Sequence, residues 1–163
     1  MNAINYFSQI GFEMNLFYNI DIESDDYFAF AFTKILQKLS LNKFLGDTLV
    51  DIGSGPGNSL LAFAKKFPFK NLVAIDGADN MLSFIQSDMR FALSDEVSIH
   101  THNIDLENEM FPIDSRSVSS VNATTITSYV KNPLSLLNET SRILKKNGIF
   151  TLSIELTDAG ETI

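Results

Sequence analysis

The feature that most constrains the fold is the alternation, from residue 48 onward, of short apolar runs with helix-periodic segments. In the segments between the runs, apolar residues recur three and four positions apart, which is the spacing of one helix face. Strands that alternate with helices form parallel sheets covered on both faces. Right-handed crossovers then restrict the topology to a doubly wound α/β sheet. The predicted strands are 48–52, 72–75, 97–101, 117–123 and 149–156, with helices at 58–67, 78–91 and 133–146.

The last of these helices has the clearest boundary signals. Asn132 suits the N-cap, and Pro133 suits the first helical position. Lys145 and Lys146 would fill the last turn, where cations complement the helix dipole. Gly148 suits the left-handed position that follows many helices.

The first 41 residues have a different pattern. Residues 5–18 are rich in apolar side chains, and residues 24–26 can cap a second helix that runs to about Leu41. We therefore divide the chain into an N-terminal helical extension, residues 1–41, and an α/β domain, residues 42–163. The extension is rich in Phe and Tyr, so it either forms a lid over an apolar pocket or covers the sheet.

Charge and composition exclude several classes of partner. The net charge of −8 argues against nucleic acid, which requires a basic footprint. Without cysteine there are no disulfides or thiolate metal sites, which fits a cytoplasmic location. No apolar stretch reaches the roughly 18 residues of a membrane span. His100 and His102 share a strand face but have no third ligand nearby in sequence, so we predict no metal site.

A glycine-rich loop, residues 50–58 (Val-Asp-Ile-Gly-Ser-Gly-Pro-Gly-Asn), follows the first predicted strand. Gly53 permits a tight turn out of the strand, and Gly55 leaves room for a ligand against bare backbone. Ligands of doubly wound sheets bind outside the carboxyl ends of the strands, at the switch point. This rule points to the loops after the first, second and fourth strands.

Two acidic residues accompany the loop. Asp51 lies two residues before the first glycine, where a buried carboxylate requires a donor or a cation; it is either a ligand contact or a hydrogen-bonded structural group. Asp76 ends the second strand, about where dinucleotide-type folds place the acid that binds ribose hydroxyls. A hairpin at Asp76-Gly77 is disfavoured because the next segment has helical spacing. The NAD fingerprint wants glycine at position 58, which is Asn, so a dinucleotide is not expected.

Taken together, these segments resemble the class I S-adenosylmethionine-dependent methyltransferases. Residues 50–57 look like the first motif of that family, and residues 74–82 (Ala-Ile-Asp-Gly-Ala-Asp-Asn-Met-Leu) are similar to the second. Residues 103–106 (Asn-Ile-Asp-Leu) resemble the segment after the third strand, and the resemblance extends over roughly residues 45–156. It implies a Rossmann-like domain with strand order 3-2-1-4-5 and S-adenosylmethionine as cofactor.

The resemblance also implies a role for the residues around the methyl-bearing half of the cofactor. Gly53 and Gly55 would lie against its amino-acid portion, and Asp51 would meet its amino group, directly or through water. Ala123 would lie beside the methyl-bearing side.

For the other half of the cofactor, the resemblance implies that Asp76 binds the ribose hydroxyls and that Gly77 and Met81 flank the ribose and adenine. Ile104 would pack on the ring, and Asp105 would meet the adenine amino group. The full set of predicted cofactor-binding residues is Asp51, Gly53, Ser54, Gly55, Asn58, Asp76, Gly77, Met81, Ile104, Asp105 and Ala123.

Methyl transfer from a sulfonium requires mainly alignment and exclusion of water, so no universal catalytic residue is expected. The candidates for a general base are Tyr129, Glu155 and Asp158, but none of them stands out. A packing or lid role is favoured for Tyr129, and Glu155 also suits a cap at the strand end. We expect a small-molecule acceptor; the alternatives are a methyltransferase-like binding or regulatory subunit without turnover and a protein methyltransferase.

The resemblance has a gap after the fifth strand, because the family normally adds two further strands there. The fifth strand would then lie at an exposed sheet edge, which proteins usually cover. We therefore expect a fragment of a longer chain, a degenerate family member, or a homodimer or other partner that covers this edge.

Overall fold

The computed structural model describes residue 4, residues 33–38, residue 40 and residues 45–154. The helix predicted over 5–18 and the first part of the helix predicted to end near Leu41 lie outside these residues, whereas residues 33–38 are helical. The elements of the α/β region are β1 (Thr48–Ile52), α1 (Asn58–Lys66), β2 (Asn71–Asp76), α2 (Asp79–Ala92), β3 (Ser98–Asn103), β4 (Val118–Ala123), a 3-10 turn (Ile126–Ser128), α3 (Pro133–Ile143) and β5 (Leu144–Leu152).

The strands form one parallel sheet in the order β3-β2-β1-β4-β5. This confirms the predicted Rossmann-like α/β fold and its strand order. The chain proceeds outward from β1 to β3 and then returns to place β4 on the other side of β1. The loops after β1, β2 and β4 consequently meet at one edge of the sheet, which is the switch point where ligands of such sheets bind.

Two hydrophobic clusters cover the two faces of the sheet. Successive strand residues point to opposite faces, so Leu49 belongs to one cluster whereas Val50 and Ile52 belong to the other. Helices α1 and α2 pack on the Leu49 face, and α3 packs on the Val50 face. Leu36, from the helical residues 33–38, is only 1% exposed and joins the Leu49 cluster, so this part of the extension covers the sheet.

The predicted end of α3 is wrong. The helix ends at Ile143, and its last carbonyls, those of Arg142 and Ile143, accept the backbone N–H groups of Arg116 and Ser117 instead of continuing the helix. Asn147, with φ 65°, takes the left-handed conformation that we predicted for Gly148.

Gly148 has a different role from the predicted one. A Cβ at this position would lie 2.8 Å from Leu144 Cδ2 and 3.2 Å from the carbonyl oxygen of Ser119. The close approach of the neighbouring backbone therefore favours glycine here. Lys145 and Lys146 lie in β5 rather than in the last turn of α3. In this part of β5 the pairing with β4 shifts register between Val118 and Ser120.

At the other end of α3, Asn132 occupies the N-cap position and Pro133 the first turn, as predicted, but the Asn132 side chain makes no capping hydrogen bond. Strand β5 ends at Leu152, and residues 155–156 of the predicted strand lie outside the described residues. Within residues 45–154, β5 is an edge strand that pairs with β4. In the described part of the chain, no helix is long and apolar enough to cross a bilayer.

Candidate functional site

The glycine loop folds back over the carboxyl end of β2. The N–H groups of Gly53 and Ser54 both donate to the carbonyl of Ile75, at 2.8 and 3.2 Å, and the N–H of Gly57 closes a turn onto the carbonyl of Ser54 at 3.0 Å. Gly53, Gly55 and Gly57 all have positive φ, a conformation that side chains disfavour. The backbone conformation of the loop therefore favours glycine at all three positions, independently of any ligand.

Two of these glycines differ in what surrounds them. A Cβ at Gly53 would lie 2.5 Å from Cδ1 of Ile126, in the 3-10 turn after β4. A Cβ at Gly55 would meet no atom of the described residues within 4 Å. Among the described residues the loop therefore has open space at Gly55, whereas the face of Gly53 is covered by Ile126.

The same loop contains polar side-chain atoms that are buried without partners in the described part of the chain. Ser54 Oγ and Asn58 Nδ2 are both inaccessible to solvent and have no hydrogen-bond partner among the described residues. Buried polar groups are normally hydrogen-bonded, and the amide nitrogen of Asn58 can only donate. The pair fits a polar ligand that brings acceptor groups, such as a carboxylate, into the loop.

Asp51 lies in β1 with 1% of its surface exposed. Its Oδ1 accepts a hydrogen bond from Nδ2 of Asn122 at 2.7 Å, and the two residues are Cα partners of the β1–β4 pairing. The sequence predicted that Asp51 requires a donor but did not identify Asn122. The alignment of β4 with β1 brings the two residues together, and local signals in the sequence do not set that register.

Asp76 is held by backbone donors. Its Oδ2 accepts the N–H of Gly55 and its Oδ1 accepts the N–H of Ala78, each at 2.8 Å. Desolvation by burial raises the pKa of Asp76, although the hydrogen bonds from Ala78, Gly55 and Gly77 act in the opposite direction. Each carboxylate oxygen retains a further lone pair, so the group can still accept ribose hydroxyls while it holds the loop.

Asp76 also lines a pocket of about 230 Å³ at the carboxyl ends of β2 and β3. Of the predicted site residues, Gly77, Asp105 and Tyr129 line it as well. Residues that the sequence did not assign to the site also line it, among them Ile4, Glu107, Ile126 and Val130. The remaining predicted residues outside the glycine loop, Met81, Ile104 and Ala123, are buried in the core at 2%, 6% and 0% exposure.

Hydrophobic side chains cover part of this region. A Cβ at Gly77 would lie 2.7 Å from Cγ1 of Ile4, so Ile4 packs on Gly77 as Ile126 packs on Gly53. No signal in the sequence connects Ile4 with Gly77. The predicted contacts of Gly53 and Gly77 with a cofactor stay predictions.

Asp105 has a structural role that the sequence did not predict. Its carboxylate accepts the N–H of Glu107 at 3.0 Å and Nδ2 of Asn108 at 2.8 Å, and these bonds lower the pKa of Asp105. The side chain thus stabilises the turn after β3, and its contact with adenine stays a prediction. Tyr129 follows the 3-10 turn, and 44% of its surface is exposed.

Two acidic side chains fix the wall of the pocket to α3. Glu107 Oε1 accepts the backbone N–H groups of Lys131 and Asn132, just before the helix. Glu139 accepts the N–H of Phe111 at 3.0 Å and pairs with Arg142, whose guanidinium also donates to the Phe111 carbonyl at 2.9 Å. These contacts hold the segment between β3 and β4 in place. Among the described residues, no cluster of three or more side chains suits a metal ion.

Comparison with known proteins adds to this geometry. A family model described as "Methyltransferase domain" matches residues 50–152. The malonyl-[acyl-carrier protein] O-methyltransferase of a Marinomonas species is 26% identical over 153 residues, which are 90% of this chain and 53% of that protein. This chain thus spans about half the length of that curated relative.

Two solved structures share the fold. An S-adenosylmethionine-dependent methyltransferase from Clostridium acetobutylicum has a TM-score of 0.62 at 22% identity, over 93% of this chain and 57% of that one. The geranyl diphosphate C-methyltransferase of Streptomyces coelicolor, solved with geranyl diphosphate and S-adenosyl-L-homocysteine, has a TM-score of 0.58 at 25% identity, over 71% and 42% of the two chains.

Proposed function

Because the chain belongs to the class I S-adenosylmethionine-dependent methyltransferase family, we propose that it binds this cofactor at the glycine loop and methylates a small molecule. Methyltransferases of this family use S-adenosylmethionine as methyl donor. One observation carries the proposal: a Cβ at Gly55 would meet no atom of the described residues within 4 Å, and in the same loop Ser54 Oγ and Asn58 Nδ2 are buried without partners among those residues.

The chain's own residues divide the work of holding the cofactor. Asp76 uses its remaining lone pairs for the ribose hydroxyls, and Ser54 and Asn58 take their missing hydrogen bonds from the amino-acid portion. Asp51 receives the amino group at the end of β1. When bound, the cofactor supplies a methyl group activated by sulfonium, and the protein contributes alignment and exclusion of water, worth on the order of 7–11 kcal/mol.

The acceptor enters from the side of the pocket lined by Ile126, Tyr129 and Val130. The apolar side chains of Ile126 and Val130 on this side suit a small molecule, and the net charge of −8 disfavours RNA. Tyr129 is the candidate group to remove a proton from the acceptor where one must be lost. The names of two relatives, for malonyl-[acyl-carrier protein] and geranyl diphosphate, show that acceptors vary widely among such proteins.

A second candidate is a methyltransferase-like binding or regulatory subunit without turnover. Ile4 and Ile126 favour it, because they occupy the faces of Gly77 and Gly53 that a cofactor would otherwise contact. Under this proposal the two side chains stay in place and the cofactor does not bind.

Calorimetric titration of the full chain with S-adenosylmethionine and, separately, with NAD tests the first proposal. We expect micromolar binding of S-adenosylmethionine and no heat from NAD. Binding of NAD alone would contradict the assignment of the loop. Binding of neither compound would favour the second candidate.

A further inference from the structure

The buried pair of Asp51 and Asn122 extends the proposed site by one residue. The two are directly opposite each other in the β1–β4 pairing, and each is 1% exposed. On the other side of β1, the residue opposite Asp51 is Ala74, which has only a methyl group. Asn122 is therefore the residue that meets the Asp51 carboxylate from a neighbouring strand.

The hydrogen bonds of Asn122 fix the orientation of its amide. A carboxylate only accepts, so the nitrogen of the amide and not its oxygen faces Asp51 Oδ1, at 2.7 Å. The same nitrogen donates its second N–H to Oγ1 of Thr124 at 3.1 Å. Rotation of the amide would break the bond to Asp51 and place an oxygen against its carboxylate, whereas the Thr124 hydroxyl could still donate to the rotated amide.

We propose that Asn122 is a positioning residue, which holds the Asp51 carboxylate in the orientation that receives the amino group of S-adenosylmethionine. The inference rests on the proposed function, because it presupposes that Asp51 meets the cofactor. Asn122 itself does not contact the ligand. Its effect passes through Asp51, so it acts on the amino-acid half of the cofactor and leaves recognition of the nucleoside half unchanged.

Strand β4 offers a matched control. Ser120 lies two residues earlier on the same strand face, is 3% exposed and donates its hydroxyl to the carbonyl of Leu45 at 2.7 Å. Ser120→Ala therefore removes a comparable buried hydrogen bond from the same strand, but one whose acceptor, Leu45, lies outside the glycine loop. A merely structural role for Asn122 would make the two variants behave alike.

Two ligands separate the halves of the cofactor. S-Adenosylhomocysteine carries the amino-acid portion, whereas 5′-methylthioadenosine has the same nucleoside and thioether without it. In calorimetric titrations of the full chain, Asn122→Ala should raise the Kd for S-adenosylhomocysteine roughly tenfold. The Kd for 5′-methylthioadenosine should stay within about twofold, and Ser120→Ala should leave both constants within about twofold while it lowers the Tm.

If Asn122→Ala does not fold, Thr124→Val provides a second test. It removes only the hydrogen bond from the Asn122 amide to the Thr124 hydroxyl and keeps the bond to Asp51. It should raise the Kd for S-adenosylhomocysteine roughly threefold and leave 5′-methylthioadenosine unchanged. Parallel losses for both ligands, no loss for S-adenosylhomocysteine, or the same selectivity in Ser120→Ala would overturn the positioning role. If the wild-type chain binds neither ligand, the proposed function itself fails.

Discussion

Gly53 and Gly55 lie two residues apart in one loop and have similar backbone conformations, with φ 67° and 52°, but their surroundings are opposite. Ile126 packs directly on Gly53, whereas Gly55 faces open space among the described residues. Packing and turn geometry together account for glycine at position 53. At position 55, turn geometry accounts for the backbone, but no neighbour in the described part of the chain accounts for the missing side chain.

The difference separates what the fold requires from what a ligand would require. The hydrogen bond from the Gly55 N–H to Asp76 keeps this segment close to the carboxylate proposed for the ribose. The N–H of Gly53 instead donates to the backbone carbonyl of Ile75, within the sheet edge itself. Substitutions at the two glycines should therefore affect different properties, one mainly ligand affinity and the other mainly stability.

The largest effect on affinity is expected from Gly55→Val, because the branched side chain would fill the open space that the proposed cofactor uses. Binding of S-adenosylmethionine should become undetectable by calorimetry, with a modest loss of stability from the positive φ. Gly55→Asn is the matched control for backbone strain, since Asn tolerates the left-handed region better than Val. It still carries a Cβ, so it too should lose affinity; unchanged affinity in both variants would contradict the loop assignment.

Gly53→Ala should mainly affect stability. The new Cβ would lie 2.5 Å from Ile126 Cδ1 at a φ of 67°. Left-handed strain and overpacking together should lower the free energy of unfolding by about 2–4 kcal/mol. Urea denaturation measures the loss, and adding Ile126→Ala should recover part of it because the clashing atoms beyond Cβ are gone. Additive losses in the double variant would show that Ile126 is not the cause.

The sequence predicted the strands well, because buried parallel strands leave apolar runs that need no tertiary information. Their order was implied by the resemblance to the methyltransferase family and is confirmed by the sheet. The end of α3 was predicted less well. Lys145, Lys146 and Gly148 fit a helix terminus by local rules, but Arg116 and Ser117 take the last helical carbonyls and divert the chain into β5. Such partners are distant in sequence, so local signals do not reveal them.

The site shows the same division. Motif spacing made the glycine loop, Asp51 and Asp76 candidates for the site, because each of them lies at the end of a predicted strand. It did not identify Asn122 or Ile126, whose importance depends on how β4 aligns with β1 and on where the following 3-10 turn lies. Registers and turn positions are set by packing across the sheet, and a single sequence contains little direct information on them.

Asp76→Ala tests recognition of the nucleoside half of the cofactor, as Asn122→Ala tests recognition of the amino-acid half. The variant removes the acceptor proposed for the ribose hydroxyls and also releases the N–H of Gly55. Binding should weaken by roughly 1.5–3 kcal/mol, the range for hydrogen bonds to a charged group. S-Adenosylhomocysteine and 5′-methylthioadenosine should lose affinity equally, unlike the selective loss expected for Asn122→Ala. Unchanged affinity for both would remove Asp76 from the ribose role.

The smallest expected effect is a pH dependence that belongs to Asp76. Burial raises the pKa of this carboxyl group above its ordinary value of 3.8, so the folded state binds its proton more tightly than the unfolded state does. The contribution of Asp76 to the free energy of unfolding is therefore fully present below pH 3.8, and it is lost as the pH rises through the raised pKa of the folded state.

Ligand affinity should change in the opposite direction, because the ionised carboxylate is the better acceptor for ribose hydroxyls. The affinity for 5′-methylthioadenosine should fall by less than about tenfold as the pH is lowered through the raised pKa of Asp76. Asp76→Asn is the control, since its amide does not titrate and its curve should lack this component. If the affinity of the wild type and of the variant depends on pH in the same way, the pH dependence belongs to the ligand or to another group. Titration of Asp76, which accepts the Gly55 N–H, would then not control the affinity.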